Sequence, residues 1–281
     1  MTIQEQYIEL QKSRKIQSSD ILNNKKRIAW EFFRNYTCIG NLEKNLSSKF
    51  ILYLAPLNKI HGTNMVNWPN GANNEIYVDE IFATNNPKLM NVQLQHEVLH
   101  GLSKSNNGQE LCFGHQYNKD DTSNYTGLNE ATTQMFAEDM SGVRLDENSD
   151  YLYSIKNIMR VMKAIFGIND IASQYLNNSN DFENHFNEVT SFKFEPFTLL
   201  MNDVYILSKN SNYNFLNEEQ VKELNNKKDK LFDFTTALIN QAAQNNPSII
   251  NKICDELNDE NIQSKLNIQK KELSNSNIHK R

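Results

Sequence analysis

The chain has only three cysteines in 281 residues, Cys38, Cys112 and Cys254, far apart and without CxxC spacing. An odd, scattered set excludes a disulfide framework and a four-cysteine zinc knot, and fits thiols kept reduced. Nowhere do the roughly eighteen consecutive apolar residues of a membrane-spanning helix occur. The opening MTIQEQYIELQKSRK also lacks an apolar core of signal-peptide length. A cytoplasmic location is the expectation, replaced by secretion if the chain is cut from a longer precursor. A basic excess is missing too: the net charge is −5 and the pI about 5.7. The basic runs Lys25-Lys26-Arg27 and Lys270-Lys271 are short and read as solvated helix faces. Phosphate neutralisation needs a concentrated basic surface, so nucleic acid is excluded as a partner. Neither a membrane nor a small organic cofactor is expected.

What is present is the composition of a globular protein, 38% hydrophobic and 22% charged, in a chain long enough to bury a sizeable core without staples. Residues 1–46 read as an N-terminal helical segment, with Asp20 at a cap and Ile28, Trp30, Phe32 and Phe33 on a broad apolar face. The apolar run Phe50 to Ala55, ended by Pro56, reads as a buried strand. Glu75 to Asp79 reads as an amphipathic or edge strand behind a turn cluster at Trp68 to Asn74. Asn86 suits an N-cap and Pro87 a first helical position, so a helix is predicted over about 87–103, with Leu89, Val92, Leu99 and Leu102 at helical spacing. Ser103 to Thr126 has little periodicity and reads as a long loop, of a length that is often functional in compact domains. A second helix is predicted over about 129–141, closed near Gly142. From Asp150 onward apolar residues recur helically, as in Ile155, Ile158, Met159, Met162 and Ile165, and the last dozen residues should fray. The predicted organisation is a helical segment at 1–46, a catalytic core at 47–148 and a helical C-terminal subdomain at 149–281.

The chemistry is concentrated in His96-Glu97-Val98-Leu99-His100. Histidines four apart stack on one helix face and can grip one metal ion, while the intervening glutamate projects beside them. Such a glutamate stays off the metal and takes a proton from the activated water. The motif arises by chance in a chain of this length with a frequency on the order of one in a hundred. A catalytic zinc needs a third protein ligand and an open position. The metzincin pattern is excluded, since it requires glycine at position 103 and histidine at 106, where Ser103 and Asn106 stand. The remaining candidates for the third ligand are Glu110, His115, Asp120, Asp121 and Glu130. Glu130 stands out because a rigid helix presents it.

These two segments, HEVLH and Gly127-Leu128-Asn129-Glu130-Ala131-Thr132-Thr133, resemble the gluzincin metallopeptidases, in which a Glu on a following helix completes HExxH. The GLNE-x-x-T form is similar to a group of poorly characterised bacterial gluzincins, over roughly residues 50 to 170. The resemblance implies an α+β, zincin-like fold: a small mixed β-sheet with the HExxH helix, followed by a mostly α-helical part. It implies one catalytic Zn2+ held by His96, His100 and Glu130, with Glu97 as general base and acid, and an edge strand that takes up extended peptide or protein substrate by strand addition. Asn129, Thr133 and Gln134 are expected to support the ligands. Gln134 stands where thermolysin-like relatives carry an aspartate, so it can hydrogen-bond an imidazole without adding charge.

The oxyanion-stabilising residue is not fixed by spacing: Tyr153 and Tyr125 are put forward, with Tyr151 and His185 as further candidates. Cys112 reads as a small buried hydrophobe, and His61 as a residue near the predicted strands. Two other readings keep the same motif. One is a regulatory zincin of the ImmA/IrrE-like kind that cleaves one specific protein. The other is a non-catalytic module in which Cys112 or His115 supplies a fourth ligand.

Overall fold

The computed structural model describes residues 3–17, 20–36, 40–61, 65–70, 73–104, 111–112, 115–116, 125–177, 179–191, 193–212 and 216–269. The first part comprises α1 (Ile3–Ser13), β1 (Lys15–Ile16), α2 (Asp20–Phe33), α3 (Gly40–Asn45), β2 (Lys49–Ala55), α4 (Leu57–His61), β3 (Met65–Asn70), β4 (Asn73–Asp79), α5 (Glu80–Asn85) and α6 (Pro87–Leu102). A short strand pair, β5 (Leu111–Cys112) and β6 (His115–Gln116), precedes α7 (Thr126–Ser141). Seven further helices follow: α8 (Tyr153–Phe166), α9 (Ile168–Asn177), α10 (Asp181–Thr190), α11 (Phe194–Asn212), α12 (Glu218–Asn245), α13 (Ile249–Leu257) and α14 (Glu260–Lys265). The fold is α+β, mostly helical with one small mixed sheet. Among the described residues no helix is long and apolar enough to cross a membrane.

The sheet runs β1-β2-β4-β3, with β2 and β4 parallel and the two outer strands antiparallel to their neighbours. Alternation along the two inner strands gives each face its own core. Phe50, Leu52, Ile76 and Val78 face the main core, together with Val92, Val98 and Leu99 of α6. Tyr53, Ala55 and Tyr77 face a smaller cluster completed by Leu10 of α1 and Leu57. Glu75 lies on that second face, buried, accepting from the Tyr77 hydroxyl at 2.7 Å and from Gln11 at 3.1 Å.

Three sequence expectations change here. The strand at Glu75 to Asp79 is interior rather than an edge, because both edges of β4 are paired, one with β2 and one with β3. The edge is β3, and it includes Trp68, Pro69 and Asn70, which read as a turn. A proline on an outer strand forfeits no ladder bond if its nitrogen faces outward, so Pro69 is compatible with pairing. The N-terminal segment is interrupted by β1, which pairs Lys15 and Ile16 with Leu54 and Tyr53. The last dozen residues lie outside the described residues.

Pro87 opens α6 as its spacing predicts, but the Asn86 side chain makes no capping bond; α5, capped by Asp79, runs straight into it. α6 lies flush on the sheet because Gly101 has no side chain: a Cβ there would fall 2.5 Å from the Phe50 ring. α7 begins three residues earlier than predicted, at Thr126. Gly127 sits in close contact with α11, where a Cβ would lie 2.5 Å from the Met201 carbonyl oxygen, and its N–H donates to Asn202 Oδ1 at 3.2 Å. α7 is therefore packed between α6, α8 and α11, buried from Gly127 to Glu138 except at Glu130.

Candidate metal centre

Two turns of α6 and the first two turns of α7 face each other across the main core. α6 presents His96 and His100 on one stripe; α7 presents Glu130 and, one turn on, Gln134. His96 Nε2 and His100 Nε2 are 2.9 Å apart. Glu130 reaches both imidazoles, with Oε2 at 3.2 Å from His96 Nε2 and Oε1 at 3.4 Å from His100 Nε2. The trio is the one group of metal-binding side chains found among the described residues.

The donor set fits zinc. Ligand atoms about 2.0–2.1 Å from a tetrahedral ion stand about 3.3 Å from one another, and the three separations lie within about half an ångström of that. Two imidazole nitrogens and a carboxylate are a common catalytic set. The Gln134 side-chain oxygen lies 2.9 Å from His96 Nδ1. With Nδ1–H donating there, the lone pair of Nε2 is left aimed at Glu130 and His100. Burial pushes the Glu130 carboxyl up, but the neighbouring His100 and His96 prevail and hold it well below the usual carboxylate range. A carboxylate that stays ionised is what a ligand requires.

Beside the trio opens a cleft of about 700 Å³, lined by His96, Glu97 and Gln93 of α6, Met65 of β3, Tyr153 of α8, Ser208 of α11 and Lys228 of α12. Glu97 is half-buried and faces this space rather than joining the trio. Tyr153 also lines the cleft, but its hydroxyl donates to Asp259 Oδ2, the N-cap of α14. Burial and that carboxylate raise its pKa, so it stays a neutral phenol. Tyr151 lines the cleft too and packs near Tyr205. Tyr125 precedes α7 and packs against Phe194, outside the cleft lining. His185 pairs with Asp170 at 2.7 Å, also outside it.

Thr133 is fully buried and points to α9, its hydroxyl bonded to the Asn129 carbonyl and the Tyr175 hydroxyl at 2.8 Å each. Asn129 is buried one residue before the ligand glutamate. Their place is in holding α7, whereas Gln134 touches an imidazole directly. The side chains of Cys112, His115 and His61, and the residues Glu110, Asp120 and Asp121, lie outside the described residues. Sequence reasoning passed over Gln93, although its position one turn before Glu97 puts both on one helix face. Ser208 and Lys228 carried no signal, since only tertiary packing brings α11 and α12 to the cleft.

Fold and trio together define a mostly helical α+β protein with a candidate His-His-Glu metal centre beside a polar cleft. No family model, curated protein or solved structure matches the chain. The gluzincin resemblance rests on the two motifs alone.

Proposed function

We propose that the protein is a zinc-dependent peptidase of the zincin type, hydrolysing peptide bonds of a peptide or protein substrate. The observation that carries the reading is the convergence of His96, His100 and Glu130 with Glu97 beside them on a cleft. Bound to the trio, zinc would supply a Lewis acid for the scissile carbonyl and an acidified water as nucleophile. Glu97 accepts the proton of the attacking water and returns it to the leaving amine. Gln134 holds the His96 ring so that its Nε2 remains a ligand nitrogen. β3, the antiparallel outer strand, contributes Met65 to the cleft and offers an edge to which an extended peptide can add as a strand.

The test is elemental analysis of wild type, Glu130→Ala and Glu97→Gln, each paired with hydrolysis of a mixed fluorogenic peptide library. Stoichiometric zinc in wild type and Glu97→Gln, weakened zinc in Glu130→Ala, and turnover in wild type alone are expected. Zinc retained by every variant with no turnover would overturn the catalytic assignment.

A further inference from the structure

The cleft carries polar groups that the proposed hydrolysis leaves unused. Ser208 is 5% exposed, lines the cleft, and its Oγ has no hydrogen-bond partner among the described residues. Gln93 lines the same space, and its buried Oε1 is likewise unpartnered. Buried polar atoms are nearly always bonded in folded proteins, so two orphans on residues that line one cleft mark side chains free to turn toward a bound group. Lys228 lines the cleft from α12 and is half-buried. Burial lowers its pKa more than the charge of Glu147 raises it. Glu147 itself is exposed and acts on the ammonium through space, without an ion-pair contact.

Three acids line the cleft, and Glu147 is the one that acts on that ammonium, without contacting it. Asp150 is engaged by Lys156 at 2.7 Å and by the Leu152 N–H at 2.8 Å. Glu97 is assigned to proton transfer. The first turn of α8, with Tyr153 and Ser154 on the cleft, adds the positive end of a fourteen-residue helix. The cleft therefore presents a partly desolvated cation, a helix N-terminus, an orphaned hydroxyl and an orphaned amide oxygen.

We propose that this side of the cleft is a carboxylate subsite, which makes acidic peptides the preferred substrate class; the inference rests on the peptidase reading. Lys228 pairs with a carboxylate of the bound peptide, Ser208 Oγ donates to a peptide oxygen, and Gln93 Oε1 accepts a peptide N–H. An Asp or Glu side chain and a free C-terminal carboxylate offer the same chemistry, and the test separates them.

The probes are fluorophore-labelled alanine-based peptides carrying Glu, Gln or Lys at each position in turn, with the C terminus free or amidated. Binding to the full-length Glu97→Gln protein is read by fluorescence anisotropy, and hydrolysis by the zinc-loaded wild type by mass spectrometry. Carboxylate-bearing peptides are expected to bind roughly ten- to a hundredfold more tightly than their neutral counterparts, the range of a charge-assisted hydrogen bond. Lys228→Met, added to Glu97→Gln, removes that preference, Lys228→Arg keeps part of it, and Lys228→Glu turns it toward lysine-bearing peptides. A preference that survives amidation identifies the side chain as the source, and one confined to free termini identifies the α-carboxylate. Equal binding of Glu and Gln peptides, a preference unchanged in Lys228→Met, or no binding at all overturns the subsite. If Lys228→Met melts below its parent, Lys228→Arg against Lys228→Gln gives the same comparison. Hydrolysis without acidic preference defeats this inference and leaves the peptidase standing; Lys228-dependent binding with no hydrolysis by wild type does the reverse.

Discussion

The two ends of α7 handle buried charge in opposite ways. At its start, Glu130 faces two imidazoles, and Gln134 orients one of them; the group converges on a point, and His96 and Gln134 border a cleft. Two turns further on, Glu138 is 1% exposed and fully enclosed: Lys156 bonds Oε1, Arg160 bonds Oε2 at 2.6 Å and the Leu145 N–H adds a bond at 3.0 Å. Asp139 beside it is held by Arg160 at 2.8 Å, Lys163 at 2.9 Å and Arg144 at 2.8 Å. The closed end brings its own cations, three from α8 and Arg144 from the segment before it, and is complete without any outside group. The open end carries acceptors and titratable nitrogens only, and a divalent cation is the natural complement to that set. One helix thus joins a structural ion network to a candidate reactive centre.

Variants that act at one end and not at the other test this contrast. The largest expected effect is at the closed end. Lys156→Met leaves Glu138 and Asp150 short of a counter-charge in the interior, and should lower unfolding free energy by about 3–5 kcal/mol in urea titrations. A loss below about 1 kcal/mol would show that the network is dispensable. At the open end, zinc at a hundredfold its Kd should stabilise wild type by about 2.7 kcal/mol and leave His100→Ala unmoved at that concentration, read as a shift in Tm. Equal shifts in both proteins would place the ion elsewhere. Gln134→Leu should weaken zinc roughly 10- to 100-fold in a competition titration with a chelator, since His96 loses its orienting partner. Unaltered affinity would reduce Gln134 to packing.

The smallest effect concerns a buried cation with no carboxylate beside it. Lys25 is 4% exposed, hydrogen-bonded to Asn91 Oδ1 at 2.5 Å, and burial lowers its pKa to about 8. The unfolded chain binds this proton more tightly than the native one, so the cost of a charged Lys25 is fully present below about pH 8. It is relieved as pH rises from there toward the ordinary lysine value. Lys25→Met should therefore be more stable than wild type at neutral pH, by roughly 1 kcal/mol once the lost Asn91 bond is allowed for. That advantage should shrink above pH 8; a difference constant with pH would mean that Lys25 titrates normally.

The parts of this architecture legible in the sequence are those set by local spacing. His96, Glu97 and His100 share two turns of one helix, and Pro87 and Gly142 mark where their elements start and stop. Glu130 was legible through a second short motif rather than through periodicity. Strand order was not, because β4 becomes interior only when β3 pairs with it, and a Trp-Pro-Asn sequence at an edge has the composition of a turn. The charges of α8 were equally opaque. Lys156 and Arg160 are the residue types of a solvated face, and Glu138 and Asp139 from another helix, with Asp150 before their own, make their burial tolerable. Lys228 belongs with them: a lysine in a charged helix shows nothing of the cleft it borders until the chain is folded.

The backbone contact at Gly127 bears on which molecules the proposed peptidase could accept. Because α7 and α11 touch main chain to main chain, the ligand helix and the wall bearing Ser208 form one close-packed body, and neither can swing away without losing that contact. Under the proposed peptidase reading, a folded protein would be cut only as often as it exposes a loose segment to this fixed wall, so when local opening and closing are fast, its lifetime would report its own local unfolding equilibrium.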